Sequence, residues 1–256
     1  MNSHRRRLHI VSALSLAAVL IAMPSARPGE PNVDPAAGQS MDQVIERYIR
    51  THPEVIEQSL QALEAKRQSE EKERVKAVIG ARRNELLNDP ASPVSGNPNG
   101  DVTVVEFFDY RCGYCKRAAG VVTQLQKDDR SVRVVYKDFP ILGETSEVAA
   151  KAALASRAQG KHQAFHEALL AAKGELSKET VLAIARDVGL DVKKLEADMD
   201  NPEWTTMIER NRALAKELGI TGTPGFIVGD ELHPGALDLD RLKDLVAQAR
   251  PPKWTP

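Results

Sequence analysis

Cysteine is scarce in this 256-residue chain, which has only two. That count excludes a disulfide-dense scaffold. It also excludes four-thiolate zinc sites and iron–sulfur clusters, which need more thiolates than the chain holds. An excess of charge of one sign is missing too: 35 basic residues against 36 acidic give a formal net charge of −1, so the global balance does not favour nucleic acid. Sixteen Gly and 15 Pro are too few for a collagen-like or low-complexity chain. Beyond residue 26 no apolar run is long enough to span a bilayer. The composition, 42% hydrophobic, suits one large domain or a domain with an appendage, each able to bury a core.

The first 26 residues stand apart. His4-Arg5-Arg6-Arg7 is a basic opening, Leu8 to Ala22 carries no Asp, Glu, Lys or Arg, and small or polar residues follow up to Ala26. This is the layout of a secretory signal peptide cleaved near Ala26, although Pro24 sits where a small residue is preferred. An uncleaved membrane anchor is the competing reading of the same run. Export places the mature chain in the periplasm, a compartment where disulfides form and persist.

Residues 27–40 are rich in Pro, Ala and Gly and are expected to be disordered. Met41, Val44, Ile45, Tyr48 and Ile49 then recur at helical spacing, and after Pro53 the stripe continues through Val55, Ile56, Leu60 and Leu63. Residues 64–76 are densely charged, and Val75, Val78, Ile79 and Leu86 form a weaker second stripe. Residues 41–87 therefore read as an N-terminal helical arm whose partner is another copy of the chain; two helices packed on the main domain is the alternative. Residues 88–100 hold three Pro, two Gly and three Asn and read as a boundary made of turns.

The main domain is expected over residues 91–250. Val102 to Phe108 reads as a buried strand, Cys112 to about Asp128 as a helix, and Val132 to Tyr136 as a second strand, which makes a βαβ unit with parallel strands. Residues of about 144–218 look wholly helical, punctuated by Gly160, Gly174, Gly189 and Gly219. Phe226 to Val228, a turn at Gly229-Asp230, a short return strand and a last helix capped by Asp238 complete the order.

Cys112-Gly113-Tyr114-Cys115 falls between a strand and the helix it feeds. A thiol at a helix N-terminus has its thiolate favoured by free N–H groups and the macrodipole, so Cys112 is the accessible, attacking thiol. Cys115, one turn on, is the more buried, resolving thiol. A zinc site lacks two nearby ligands, and a c-type haem site needs His where Lys116 stands. A permanent disulfide here would barely constrain the unfolded chain. Copper on the two thiolates is chemically possible, but the five methionines form no cluster.

Glu106-Phe-Phe-Asp-Tyr-Arg-Cys112-Gly-Tyr-Cys115, with Thr221-Gly-Thr-Pro224 far downstream, resembles the DsbA-like branch of the thioredoxin superfamily. The resemblance implies an α/β, thioredoxin-like fold with an inserted helical domain between its βα and ββα halves, to which this chain adds its N-terminal helical arm. It implies that Pro224 is cis and that the Thr223 backbone, beside Cys112, pairs with a substrate chain. It further implies that Glu106 is a buried acid shuttling the proton of Cys115; read from sequence alone, Glu106 is a strand-end charge reaching water. Such an acid needs a raised pKa or a cationic partner, for which Lys137 is the candidate.

Gly113-Tyr114 between the cysteines and Thr223 before the proline resemble disulfide isomerases of the DsbC kind. Thr51-His-Pro-Glu-Val-Ile-Glu-Gln-Ser-Leu-Gln-Ala-Leu63 resembles the N-terminal segment of the suppressor-of-copper-sensitivity C proteins. The implied activity is a periplasmic thiol–disulfide oxidoreductase, a disulfide isomerase in preference to a dithiol oxidase, needing no dissociable cofactor and no metal. Its implied partners are unfolded or misoxidised secreted proteins, a membrane redox partner and further copies of the chain through residues 41–87, without nucleic acid. A copper relay and a holdase are the rivals from other classes.

Overall fold

A computed structural model describes residues 40–251; the expected signal peptide and the 27–40 stretch, apart from Ser40, lie outside the described residues. The described chain divides into two compact units between Ser59 and Leu60. In the first, α1 (Met41–Thr51) opens with a capping box: the Ser40 hydroxyl accepts from the Gln43 N–H while the Gln43 side chain accepts from the Ser40 N–H. No residue of α1 is buried, and Met41, Val44, Ile45, Tyr48 and Ile49 are exposed. The helix stops before Pro53, which disfavours helical backbone at His52. Pro53 then opens α2 (Pro53–Ala81), at a position where its missing N–H costs nothing.

The second unit is built on five strands: β1 (Val94–Gly96), β2 (Val102–Phe108), β3 (Val132–Asp138), β4 (Gly225–Val228) and β5 (Glu231–Pro234), in the order β1-β3-β2-β4-β5. β2 and β3 are parallel, in register from Val102 opposite Val132 to Phe108 opposite Asp138, and α4 (Gly113–Asp128) connects them. The remaining pairings are antiparallel. The near-continuous apolar runs of the two central strands follow from burial on both faces. β1 is a departure from expectation: three residues inside the Pro- and Asn-rich stretch pair with β3.

The helical insertion runs through α5 (Glu144–Ala155), a 3₁₀ turn (Ser156–Gln159), α6 (His162–Ala171), α7 (Lys178–Asp187), α8 (Val192–Met199) and α9 (Pro202–Leu218). Gly160 and Gly219 take the left-handed conformation that ends the 3₁₀ turn and α9. Gly174, expected to end a helix, lies instead in the loop after α6. After β5, α10 (Leu239–Ala249) is capped by Asp238, whose carboxylate accepts from the Arg241 N–H.

Alternation along the strands sends side chains to two separate cores. Val104, Phe108, Val134, Tyr136 and Phe226 face α4, α10 and the helical insertion. Val105, Phe107, Val135 and Ile227 face the opposite way, where Val75 and Ile79 of α2, Leu86 of α3 (Arg83–Leu87) and Leu218 of α9 cover them. The expected arm of residues 41–87 thus splits. Its second apolar stripe is core of the second unit, because the sheet's far face would otherwise stand open to water.

Candidate active site

β2 ends at Phe108, and the chain turns through Asp109–Arg111 into α4, with Cys112 as N-cap. Asp109 fixes that turn. Its buried carboxylate accepts from Arg111 N at 2.7 Å, and from Ile141 N and Leu142 N in the loop after β3 at 2.9 and 3.0 Å. The Arg111 guanidinium donates back to Leu142 O at 2.5 Å. The Asp109 carboxylate and the Arg111 side chain therefore lock the cysteine turn to the loop that follows the neighbouring strand.

Both cysteines are free thiols. Cys112 Sγ donates to Thr223 O at 3.2 Å, and the Thr223–Pro224 bond is cis. Residues 111 positions apart in sequence therefore meet at the reacting sulfur. Cys112 is only 7% exposed, less accessible than an attacking thiol was expected to be, because the Thr223 carbonyl lies against its sulfur. Cys115 is wholly buried. Burial pushes its thiol far up, and the nearby Glu106 charge adds to this against a backbone hydrogen bond at Asp109.

Glu106 is 2% exposed, and burial lifts its pKa to about 8. It stands on the face of β2 turned to α4, in register with Tyr136. Lys137 is not its partner. Lys137 is in register with Phe107, so strand alternation sends its side chain to the other face of the sheet. There its ammonium donates to Glu85 O at 2.5 Å and Ser92 Oγ at 2.7 Å, 3.7 Å from the Asp89 carboxylate. Burial lowers it to about 8, against the pull of Asp89. Lys137 ties α3 and the following loop to the sheet and stands apart from the cysteines.

Around the cysteines, Gly113 and Tyr114 are exposed, and the Arg117 guanidinium lies 4.3 Å from the centre of the Tyr114 ring. Ile141 and Leu142, held out by Asp109, are also exposed. Lys116 donates to Ala172 O at 2.6 Å and so joins α4 to the insertion. Beneath the turn Tyr110 hydrogen-bonds His166 Nδ1 at 2.9 Å, and burial holds His166 well below the ordinary histidine range. Asp138, at the end of β3, is buried, and neither carboxylate oxygen has a hydrogen-bond partner; burial raises it to about 8.

Asp109 and Asp138 are the residues that sequence reading passed over. Their one sequence signal is an acid at the C-terminal end of each central strand. Among the described residues, no three His, Cys, Asp or Glu side chains group to hold a metal ion. No described helix is long and apolar enough to cross a membrane.

This assembly agrees with comparisons to known proteins. The sequence pattern of the DsbA-like thioredoxin domain matches residues 103–247. A thioredoxin-like oxidoreductase from Silicibacter pomeroyi DSS-3 is 54% identical, with 66% of this chain and 97% of that one covered at a TM-score of 0.65. A linker-deletion mutant of ScsC from Proteus mirabilis is 25% identical, with 83% and 97% covered and a TM-score of 0.69. A Na(+)/H(+) antiporter NhaA 1 of Salinispora arenicola is 30% identical over 183 residues, which is 69% of this chain. That match spans only 28% of the antiporter, so the chain corresponds to a minor part of its curated relative.

Proposed function

The chain belongs to the DsbA-like thioredoxin domain family, and from that premise we propose that it is an exported, periplasmic thiol–disulfide oxidoreductase that isomerises disulfides of secreted proteins. One observation carries the reading. The Cys112 sulfur stands at the N-cap of α4, 3.2 Å from the Thr223 carbonyl, with Cys115 buried one turn behind it.

The Cys112 thiolate attacks one sulfur of a substrate disulfide. A Cys112–substrate bond forms, the substrate S–S bond breaks, and the other substrate sulfur leaves as a thiolate. Thr223 offers backbone beside that bond for the substrate chain, while exposed Gly113 and Tyr114 leave the approach open. The mixed disulfide then has two exits. Cys115 passes its proton to the Glu106 carboxylate and attacks the Cys112 sulfur; the Cys112–Cys115 bond forms, the Cys112–substrate bond breaks and the substrate sulfur leaves as a thiolate, so the protein is oxidised and the substrate reduced. Alternatively a second substrate thiolate attacks the substrate sulfur, restores the Cys112 thiolate and changes no net oxidation state.

The exposed apolar face of α1 supports the second exit as the working one, because assembled copies would hold a misfolded chain through repeated exchange. That use requires a membrane partner that returns Cys112–Cys115 to the dithiol. Two parallel assays test the reading: reactivation of a scrambled multi-disulfide protein, and oxidation of a reduced dithiol peptide. Efficient reactivation with slow oxidation is expected. Fast oxidation without reactivation assigns the chain to dithiol oxidases instead. Loss of both activities in Cys112→Ser is required either way.

A further inference from the structure

The proton that Glu106 takes from Cys115 must reach solvent, because each oxidation of the two thiols releases it and each reduction calls it back. Glu106 is buried, burial alone raises its pKa, and Lys137 stands on the other face of the sheet, so no cation receives that proton. The face that Glu106 shares offers other groups. Tyr136 lies opposite Glu106 in register, with its ring 4.3 Å from that of His166 in α6. Tyr110, in the turn before Cys112, hydrogen-bonds His166 Nδ1 at 2.9 Å. Phe108 stands edge-on to all three rings. One turn earlier in α6, half-buried His162 stacks on His166 at 5.6 Å, and its Nε2 is buried without a partner. The charges that reach this cluster come from Glu106 and Asp138, which both act on Tyr110, and from Arg157, which acts on His162.

We propose that Tyr110 and His166 form the path along which this proton passes between Glu106 and the surface of α6. The proposal rests on the exchange reading and extends its Glu106 step. Protonated Glu106 gives its proton to the Tyr110 oxygen as the Tyr110 hydroxyl gives its own to His166 Nδ1. The proton on His166 Nε2 leaves at the same time for water beside His162. Glu106 is left as a carboxylate, Tyr110 as a neutral phenol and His166 as its other neutral tautomer. A neutral imidazole suits this task, since one ring nitrogen accepts while the other donates. Burial holds His166 far below the ordinary histidine range and Tyr110 far above the tyrosine range. Neither an imidazolium nor a phenolate is favoured there, so the transfers are concerted. Reduction of the Cys112–Cys115 disulfide runs the same transfers backwards and restores the starting tautomer.

The test mixes the reduced protein with the symmetric disulfide of thionitrobenzoate in a stopped-flow cell. Attack by Cys112 releases one coloured thionitrobenzoate and leaves the other on the Cys112 sulfur. Attack by Cys115 on that sulfur then releases the second. Tyr110→Phe keeps the ring and removes only the hydroxyl. It should slow the second release relative to the first by about tenfold, less than the ~10²-fold of a general base itself, because stray water keeps a slower path open. Tyr136→Phe should leave the ratio of the two rates as in the parent. His166→Ala should slow the second release similarly, and added imidazole should restore it. Thiophene, of similar shape but without a nitrogen, should not, and neither compound should speed the parent. A parental ratio in Tyr110→Phe, or equal slowing in Tyr136→Phe, overturns the proposal and leaves the exchange reading standing. Rescue by thiophene as well as imidazole also overturns it, since filling the cavity would then suffice. If Glu106→Gln matches the parent in the second release, the Glu106 step falls and takes the proposal with it. If the first release is absent, the exchange reading itself falls.

Discussion

At the residue scale, the chemistry depends on a buried acid beside a buried thiol. Glu106 is lifted to about 8 by burial, so below that pH it is mostly neutral and a poor acceptor for the Cys115 proton. Resolution of a Cys112 mixed disulfide through Cys115 should therefore accelerate as pH rises through about 8, and Glu106→Gln should remove that inflection. The stability effect runs the other way. A carboxyl whose folded pKa exceeds its unfolded value contributes stability below about 4.5 that is lost as pH climbs through about 8. Relative to the parent, Glu106→Gln should thus gain stability with rising pH, by on the order of a few kcal/mol at alkaline pH. Asp138 titrates in the same direction, so the difference between parent and variant isolates Glu106. Urea denaturation at several pH values reads it, and a pH-independent difference counts against the buried-acid role. Asp109 makes a separate prediction. Asp109→Ala orphans the N–H groups of Arg111, Ile141 and Leu142 and should cost roughly 2–4 kcal/mol. Urea midpoints within experimental error of the parent would show that the turn holds without it.

At the scale of elements, α2 decides where the chain can be cut. Removing residues 27–59 leaves the second unit whole, whereas removing residues 27–87 takes away Val75, Ile79 and Leu86, all buried against β2, β3 and β4. Deleting large core side chains costs ~2–5 kcal/mol each, comparable in sum to a domain's whole stability. The shorter deletion should give a cooperative unfolding transition, and the longer one an aggregating or molten chain. A well-folded 88–256 fragment would show that α2 and α3 contribute little. Sequence alone placed β2, α4, β3, β4 and α10 well, because each carries a clean period or a cap. It placed Cys112 with Thr223-Pro224 through a motif whose two halves only the fold brings together. It could not place β1, whose three residues sit among turn formers and pair through backbone groups. Nor could it assign Lys137. One residue of register decides which sheet face a side chain meets, and nothing local to β3 states that register.

At the scale of the whole molecule, the unexplained surface is the apolar stripe of the first 25 described residues. Met41, Val44, Ile45, Tyr48 and Ile49 of α1 and Ile56, Leu60 and Leu63 of α2 are all exposed. Among the described residues outside that stripe, the exposed large apolar side chains are Val94, Tyr114, Ile141 and Leu142. One such residue on a surface is ordinary, but eight at helical spacing expose more apolar area than a lone chain normally tolerates. The stripe has the period of a helix that packs on another helix, which favours copies of the same chain as the cover. Light scattering on the chain from residue 27 should therefore report an oligomer at micromolar concentration. Ile45→Glu with Tyr48→Glu places like charges across every symmetric contact and should yield monomers. Those monomers should attack a small activated disulfide at the parent rate, because Cys112, Thr223 and Glu106 all lie in the second unit. They should lose most of their ability to reactivate a scrambled protein, since each exchange would then begin from a fresh encounter instead of from a neighbouring site held close. A parent chain that is already monomeric removes the basis for assembly, and with it the argument that favours isomerisation over dithiol oxidation.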